Sequence, residues 1–263
     1  MKATYEECRP SPFLEAIVDT YWHRTFDDLQ AAFSALKSCL PHGMVEVIVH
    51  LDEKRSEVFF NGGWTPLPKA CLAGIRKDPM IWRAPVNTGL FGIRFKPENI
   101  SWLFGVSSKG IANKLIDAAQ LSNKIIPAII TAIQDLPDNP SRIFCIETIL
   151  RVSSPKNRPI NADLIRALDL IRDSNLIFSV DELSQIISLS ERQLQRLFKA
   201  NLGVGPKSYI QIIRFRKICQ LLQARPDISC HDIAYCFGYA DQAHFIRDFK
   251  TFSGKTPKGL LVN

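Results

Sequence analysis

A chain of 263 residues with 46% hydrophobic and 10% aromatic composition buries a sizeable core and has room for two ordinary domains, which excludes a disordered polymer. Its longest apolar run, IIPAIITAI at 125–133, is too short to span a bilayer, and the opening MKATYEECRPSPFLE has no basic stretch leading into an apolar one, so a soluble, unexported, cytoplasmic protein without a membrane partner is expected. The formal net charge of +7 permits an anionic partner without requiring one.

In chain order, the first part reads as β-rich. GMVEVIVHL (43–51) alternates, SEVFF (56–60) runs into the turn NGG, and ACLAGI, PMIWRA and GLFGIRF follow at short intervals between Pro, Gly and Asn breaks. Short strands with little room for crossover helices predict an antiparallel barrel or sandwich. After Pro97 the apolar spacing becomes three to four in SSKGIANKLIDAAQ, NKIIPAIITAIQDL and PSRIFCIETILRV, which predicts three helices ending near Val152. SSPKNRP (153–159) has linker composition. From Asn161 onward no stretch reads as strand. The expected class is α+β: a β-rich region at 1–120, helices of dimerisation type at 121–152, a linker at 153–160 and an all-α region at 161–263.

Within the last region, one segment is written twice. When Phe198 of SLSERQLQRLFKANLGVGP is laid on Phe249 of GYADQAHFIRDFKTFSGKTP, Arg196 meets Arg247, Lys199 meets Lys250, Gly203 meets Gly254 and Pro206 meets Pro257. Each copy is preceded by a short helical stretch, VDELSQII or CHDIAYCF, and a break of three to four residues, which is the helix-turn-helix pattern. Ser179 with Glu182 and Ser190 with Gln193 have capping-box spacing, and Gly205–Pro206 and Thr256–Pro257 place an N-cap before a first-turn proline. Leu194, Leu197 and Phe198 fall on one face of the first repeated helix, leaving Arg192, Gln195, Arg196 and Lys199 on the other. In the second, Phe245, Phe249 and Phe252 face inward and Gln242, Ala243, Ile246, Arg247 and Lys250 outward. Arg and Gln bond base edges bidentately in the major groove, and Ala and Ile touch a thymine methyl. A merely solvated bundle face explains the recurring Leu and Phe, but packing does not require Arg196 to recur as Arg247.

These two stretches, LSERQLQRLFKANLGVGPKSYIQIIRFRKICQLL and DIAYCFGYADQAHFIRDFKTFSGKTP, resemble the arabinose-regulator (AraC/XylS) family of bacterial transcription factors. The resemblance covers about 100 of 263 residues. It implies that Arg192, Gln195, Arg196, Gln242, Ala243, Ile246 and Arg247 contact bases and that Lys199, Arg214 and Lys250 contact phosphates. Ser184, Gly205 and Cys219 depart from the residues the family favours, all within small side chains. The helix from Pro206 to Gln223, roughly 27 Å long, is expected to hold both repeated helices on one face of a duplex in successive major grooves. The resemblance further implies a cupin-like amino-terminal region that senses a small-molecule effector. The expected partners are double-stranded operator DNA, a second copy of the chain, that effector and RNA polymerase.

The rival is a metal-dependent cupin enzyme, or a ligand-binding protein with an accessory DNA-binding domain. Read as one strand, His42, Glu46 and His50 share a face, but the two histidines then lie roughly 26 Å apart, and no histidine pair has the spacing of an enzymatic cupin. No catalytic residue, metal site or cofactor is therefore assigned. Glu46, facing the interior, is the candidate effector contact. The tryptophans Trp22, Trp64, Trp82 and Trp102 all lie in this half and read as core or pocket lining. The seven scattered cysteines have no C-x-x-C pair and read as buried reduced thiols.

Overall fold

A computed structural model describes residues 4–26, 32–154, 161–173 and 177–261. Its strands are β1 (Tyr5–Cys8), β2 (Val18–Phe26), β3 (Lys37–Cys39), β4 (Val45–His50), β5 (Glu57–Phe60), β6 (Gly63–Pro66), β7 (Ala70–Ala73), β8 (Met80–Arg83), β9 (Thr88–Phe95) and, after helices α1 (Ile100–Phe104) and α2 (Ser108–Ile111), β10 (Leu115–Asp117). Among the described residues they form a six-stranded sheet in the order β1-β2-β9-β4-β7-β10 and a four-stranded sheet in the order β3-β8-β5-β6. All the pairings are antiparallel. The β5–β6 hairpin turns through Asn61 and Gly62, both at positive φ, as the right-handed strand twist demands of a two-residue loop.

The central strand β4 is buried on both faces, because the large sheet is covered on both sides. Val45, Val47 and Val49 join Phe91, Ile93 and Phe95 of β9 in the main core. Ile48, Trp22 and Leu90 point the other way, into a smaller cluster that the partly buried Trp82 of the four-stranded sheet abuts. Helices α3 (Ile125–Gln134) and α4 (Asn139–Ser153) pack together, and they send Ile126, Ile129, Ile133, Ile146 and Leu150 into the main core. Phe144 and Val152 stay outside.

Two expectations are corrected here. The stretch read as one helix at SSKGIANKLIDAAQ is a single turn of helix, α2, followed by β10; Asn113, at positive φ, ends the helix, and Leu115–Asp117 finds partners along Ala73–Cys71. His42 lies before β4 rather than on it, because Gly43 at positive φ turns the chain there. A Cβ at Gly43 would fall 2.7 Å from Ile213, so the turn also fits close against the helical region.

His50 closes β4 with both ring nitrogens engaged: Nε2 accepts from the Ser56 N–H at 3.0 Å, and Nδ1 lies 3.2 Å from the Lys69 carbonyl. A second proton would set two donors face to face, and burial pulls the pKa down to about 4. The unfolded chain takes up its proton nearer 6.5. Stability from this group is therefore full above pH 6.5 and declines by about 2–3 kcal/mol as the pH falls to 4. Equilibrium unfolding across that window checks this, and an equal decline in His50→Gln would contradict it.

The helical region comprises α5 (Ala162–Asp173), α6 (Val180–Ile187), α7 (Glu191–Leu202), α8 (Pro206–Ala224), α9 (Cys230–Cys236), α10 (Gln242–Ser253) and α11 (Pro257–Leu261). It rests on the β-rich region through polar and close-packed contacts. Arg172 of α5 grips Glu98 with two hydrogen bonds of 2.7 Å and donates to the Tyr209 hydroxyl of α8 at 2.8 Å, while Arg216 meets Asp19 at 2.9 Å. Gly203, which ends α7 at positive φ, passes so close that a Cβ would lie 2.4 Å from the Ser108 carbonyl. Of the expected linker, residues 155–160 lie outside the described residues.

Candidate nucleic-acid interface

Both capping boxes are formed. The Ser179 hydroxyl accepts from Glu182 N–H and the Glu182 carboxylate accepts from Ser179 N–H, and Ser190 and Gln193 do the same at the start of α7. Two orphan donors are satisfied at each helix start, so these starts are fixed by local chemistry. The repeat then appears in atomic detail. Leu183 and Ile233 are fully buried and Ser184 and Ala234 nearly so, Ser188 and Gly238 both adopt positive φ, and Leu189 N–H and Tyr239 N–H each reach back to the carbonyl five residues earlier. The two turns therefore coincide up to Leu189 and Tyr239. The inserted residue falls before the second N-cap, Asp241, whose carboxylate accepts from His244 N–H at 2.6 Å. Measured between helix ends the second break is five residues, 237–241, longer than the expected three to four.

On α7, Leu194, Phe198 and Leu202 are buried, while Arg192, Gln195, Arg196 and Lys199 are exposed. On α10, Phe245, Phe249 and Phe252 are buried. Gln242, Ala243, Arg247 and Lys250 are exposed, and Ile246 is half-buried against the core. Gln195 turns its amide toward the start of α8, where a Cβ on Gly205 would come within 2.8 Å of it. Arg214 differs from the rest of the set: it is half-buried, with its guanidinium 5.1 Å over the Tyr239 ring, and Tyr239 donates to Asp248 at 2.7 Å. Arg214 thus ties α8 to the second turn. The 19 residues of α8 extend about 29 Å at 1.5 Å per residue, and the helix sends Phe215 against Phe249 and Phe252 of α10 and Tyr209 against Phe198 of α7. One rigid helix packs against both modules.

Between the two sheets lies a cavity of about 360 Å³. Glu46 lines it, 3% exposed. Its carboxylate accepts from the Trp22 indole N–H at 3.0 Å and the Arg94 guanidinium at 2.7 Å, and the His42 Nε2 lies 3.4 Å away. Burial alone would raise this carboxyl, but its interactions with His42 and Arg94 outweigh it and hold the group well below the ordinary carboxylate range. Cys39, His42 and Glu46 bring donor atoms within 4.8 Å of one another, yet the set does not fit a cation. His42 Nδ1 accepts from Met44 N–H at 3.1 Å, so the ring carries its proton on Nε2, toward Glu46, leaving no lone pair there. Burial pushes the Cys39 thiol up to about 12, and the Arg94 cation occupies the carboxylate. Trp22 and Trp82 line the cavity, whereas Trp102 packs on the core. Of the cysteines expected to be buried, Cys71 is, Cys39, Cys145, Cys219 and Cys230 are half-buried, and Cys8 and Cys236 are exposed because they lie on an edge strand and at the end of a surface helix.

The sequence reading missed Arg24 and Arg94, which also line the cavity. Their signal was present: each lies two or four residues from an inward apolar residue of its own strand, Trp22 or Leu90, and so on the same face. No sequence signal showed that Phe215, Cys219, Gln220 and Gln223 of α8 close the cavity on one side.

Comparison with known proteins matches residues 183–261 to a family described as a helix-turn-helix domain, and residues 6–117 to one described as Domain of unknown function (DUF6597). The HTH-type transcriptional regulator GlxA of Rhizobium meliloti is 36% identical over 78 residues, 30% of this chain and 24% of that one. The lactose operon transcription activator of Staphylococcus xylosus is 31% identical over 91 residues, 34% of this chain and 32% of that one. The chain thus spans about a quarter to a third of the length of these regulators. Among solved structures, ToxT from Vibrio cholerae aligns over 88% of this chain and 98% of its own, with 11% identity and a TM-score of 0.48.

Proposed function

We propose that this chain, whose C-terminal region is an AraC-type helix-turn-helix domain, is a sequence-specific DNA-binding transcriptional regulator and not an enzyme. Helices α7 and α10 enter successive major grooves of one operator. The observation that carries this is the repetition: two modules packed on one helix expose Arg196 and Lys199 on one and Arg247 and Lys250 on the other, at positions packing does not constrain. Arg192, Gln195 and Arg196, with Gln242, Ala243, Ile246 and Arg247, read bases; Lys199 and Lys250 hold phosphates, and Arg214 does so while braced on Tyr239. The β-rich region at 1–120 senses a small effector, and 121–152 pairs two copies, for which the exposed Phe144 and Val152 of α4 supply apolar surface. Among the described residues no helix is long and apolar enough to cross a membrane, in keeping with a cytoplasmic regulator acting with RNA polymerase.

Two substitutions separate the roles. Arg196→Ala will lose about 1–3 kcal/mol on the preferred site and relax one base position, whereas Lys199→Ala will weaken all sequences alike and reduce the salt slope of binding by about one. Shift assays on matched and mismatched duplexes across a salt series measure both. Identical behaviour of the two variants, or a flat salt response of the parent, would refute the assignment.

A further inference from the structure

The cavity beside Glu46 has, among the described residues, one arginine with no carboxylate at ion-pair distance, and a wall borrowed from the helical region. Three arginines face it, Arg24, Arg94 and Arg216, together with the carboxylates Glu7 and Glu46. Arg94 bonds to both carboxylates, and Arg216 meets Asp19. Among the described residues, Arg24 has no carboxylate partner within ion-pair distance; its guanidinium lies 4.6 Å over the Tyr5 ring. A cation partly removed from water without a counter-charge is costly, and an anion brought into the cavity relieves that cost. Part of the remaining wall is apolar, beside Ser38, His42, His50 and Ser56. Trp22 lies on Gly92, where a Cβ would come within 2.0 Å of the indole, so the glycine lets the ring lie flat on the sheet, and Glu46 pins its N–H. Trp82, Ile48 and Leu90 extend this surface. The volume, about 360 Å³, falls in the range of small-molecule sites.

We propose that this cavity binds a small monocarboxylate with a flat apolar body, its carboxylate on Arg24 and its body along Trp22 and Trp82. The regulatory half of the proposal rests on the DNA-binding reading above: because Phe215, Cys219, Gln220 and Gln223 of α8 form part of the wall, the ligand touches the helix on which both recognition helices are packed. Occupancy then shifts α8 against the sheet, carries α7 and α10 with it, and so changes how both are presented to DNA. Glu46 acts as a positioning residue that holds Trp22, Arg94 and His42 in place, its oxygens already engaged.

The test is titration calorimetry on the full chain with three probes of one shape: cinnamate, its neutral amide cinnamamide and the cationic cinnamylamine. Cinnamate is expected to bind saturably, the amide at least tenfold more weakly and the amine not at all. Arg24→Gln should weaken cinnamate about ten- to a hundredfold, the size of one charge-assisted hydrogen bond, and leave the amide unchanged; a merely structural arginine would move both probes together. Gln220→Trp, which fills the cavity from the α8 side, should abolish binding of acid and amide while the near-ultraviolet circular dichroism stays folded. Equal affinity for acid and amide, or no heat from any probe, overturns the site. Duplex shift assays with and without cinnamate then test the coupling: an affinity change of several-fold is expected, and none overturns the role of α8. If no duplex is bound under any condition, the DNA-binding reading fails while the calorimetry still decides the site.

Discussion

Five base pairs inserted between the two contacts of a single bound site will remove most of the specific affinity, and so will ten. Helix α8 is 19 residues long, about 29 Å, and aromatic contacts join it to both modules, Tyr209 to Phe198 and Phe215 to Phe249 and Phe252. Five pairs carry the second contact to the opposite face of the duplex. Ten restore the face but displace the contact by about 34 Å, one helical turn, and a packed helix of fixed length does not stretch to follow. Losing two or three bidentate contacts of about 1–3 kcal/mol each amounts to a hundredfold or more. If two copies pair as proposed, ten pairs inserted between their half-sites leave the two contacts of each copy intact and will be tolerated far better. Footprinting with insertions at each location separates these outcomes; tolerance of ten pairs within one site would mean that the modules act independently.

The second large effect concerns the seam between the two regions. Arg172→Met leaves Glu98 buried without its partner and deprives the Tyr209 hydroxyl of its donor, and it is expected to cost about 3–5 kcal/mol of folding stability. The pair is 10% and 3% exposed, so water does not replace the lost cation. Because burying two charges is itself expensive, replacing both partners by Met should recover much of the loss. Urea unfolding of the two single variants and the double variant measures this. Single variants that each cost less than about 1 kcal/mol would show that the seam is held by packing alone.

How far these features were legible in the sequence depended on how local their causes are. The capping boxes at Ser179 and Ser190 are chemistry within four residues, and both formed as expected. The inward faces of α7 and α10 follow from helical periodicity, and the buried Leu194, Phe198, Phe245 and Phe249 agree with it. The strand Leu115–Asp117 was read as helix because its pairing partner, Ala70–Ala73, lies over forty residues away and leaves no periodic mark in so short a run. The turn at Gly43 leaves His42 outside β4, and the close neighbour of that turn, Ile213, is 170 residues away, so no local pattern shows the contact. The extra residue of the second turn showed in the changed offset between the copies, but its location became visible only with the paired turns of Ser188 and Gly238. The cavity was the least legible feature, since one wall comes from α8, some 170 residues beyond Glu46, and no local pattern joins them.

The central claim, that one chain reads two successive major grooves through a duplicated module, is tested most directly by selecting bound duplexes from random sequence with the parent, Arg196→Ala and Arg247→Ala. The account predicts a bipartite motif whose halves are centred about 10–10.5 base pairs apart, with each substitution relaxing a position in a different half. A single short motif, or two substitutions that relax the same position, would contradict it.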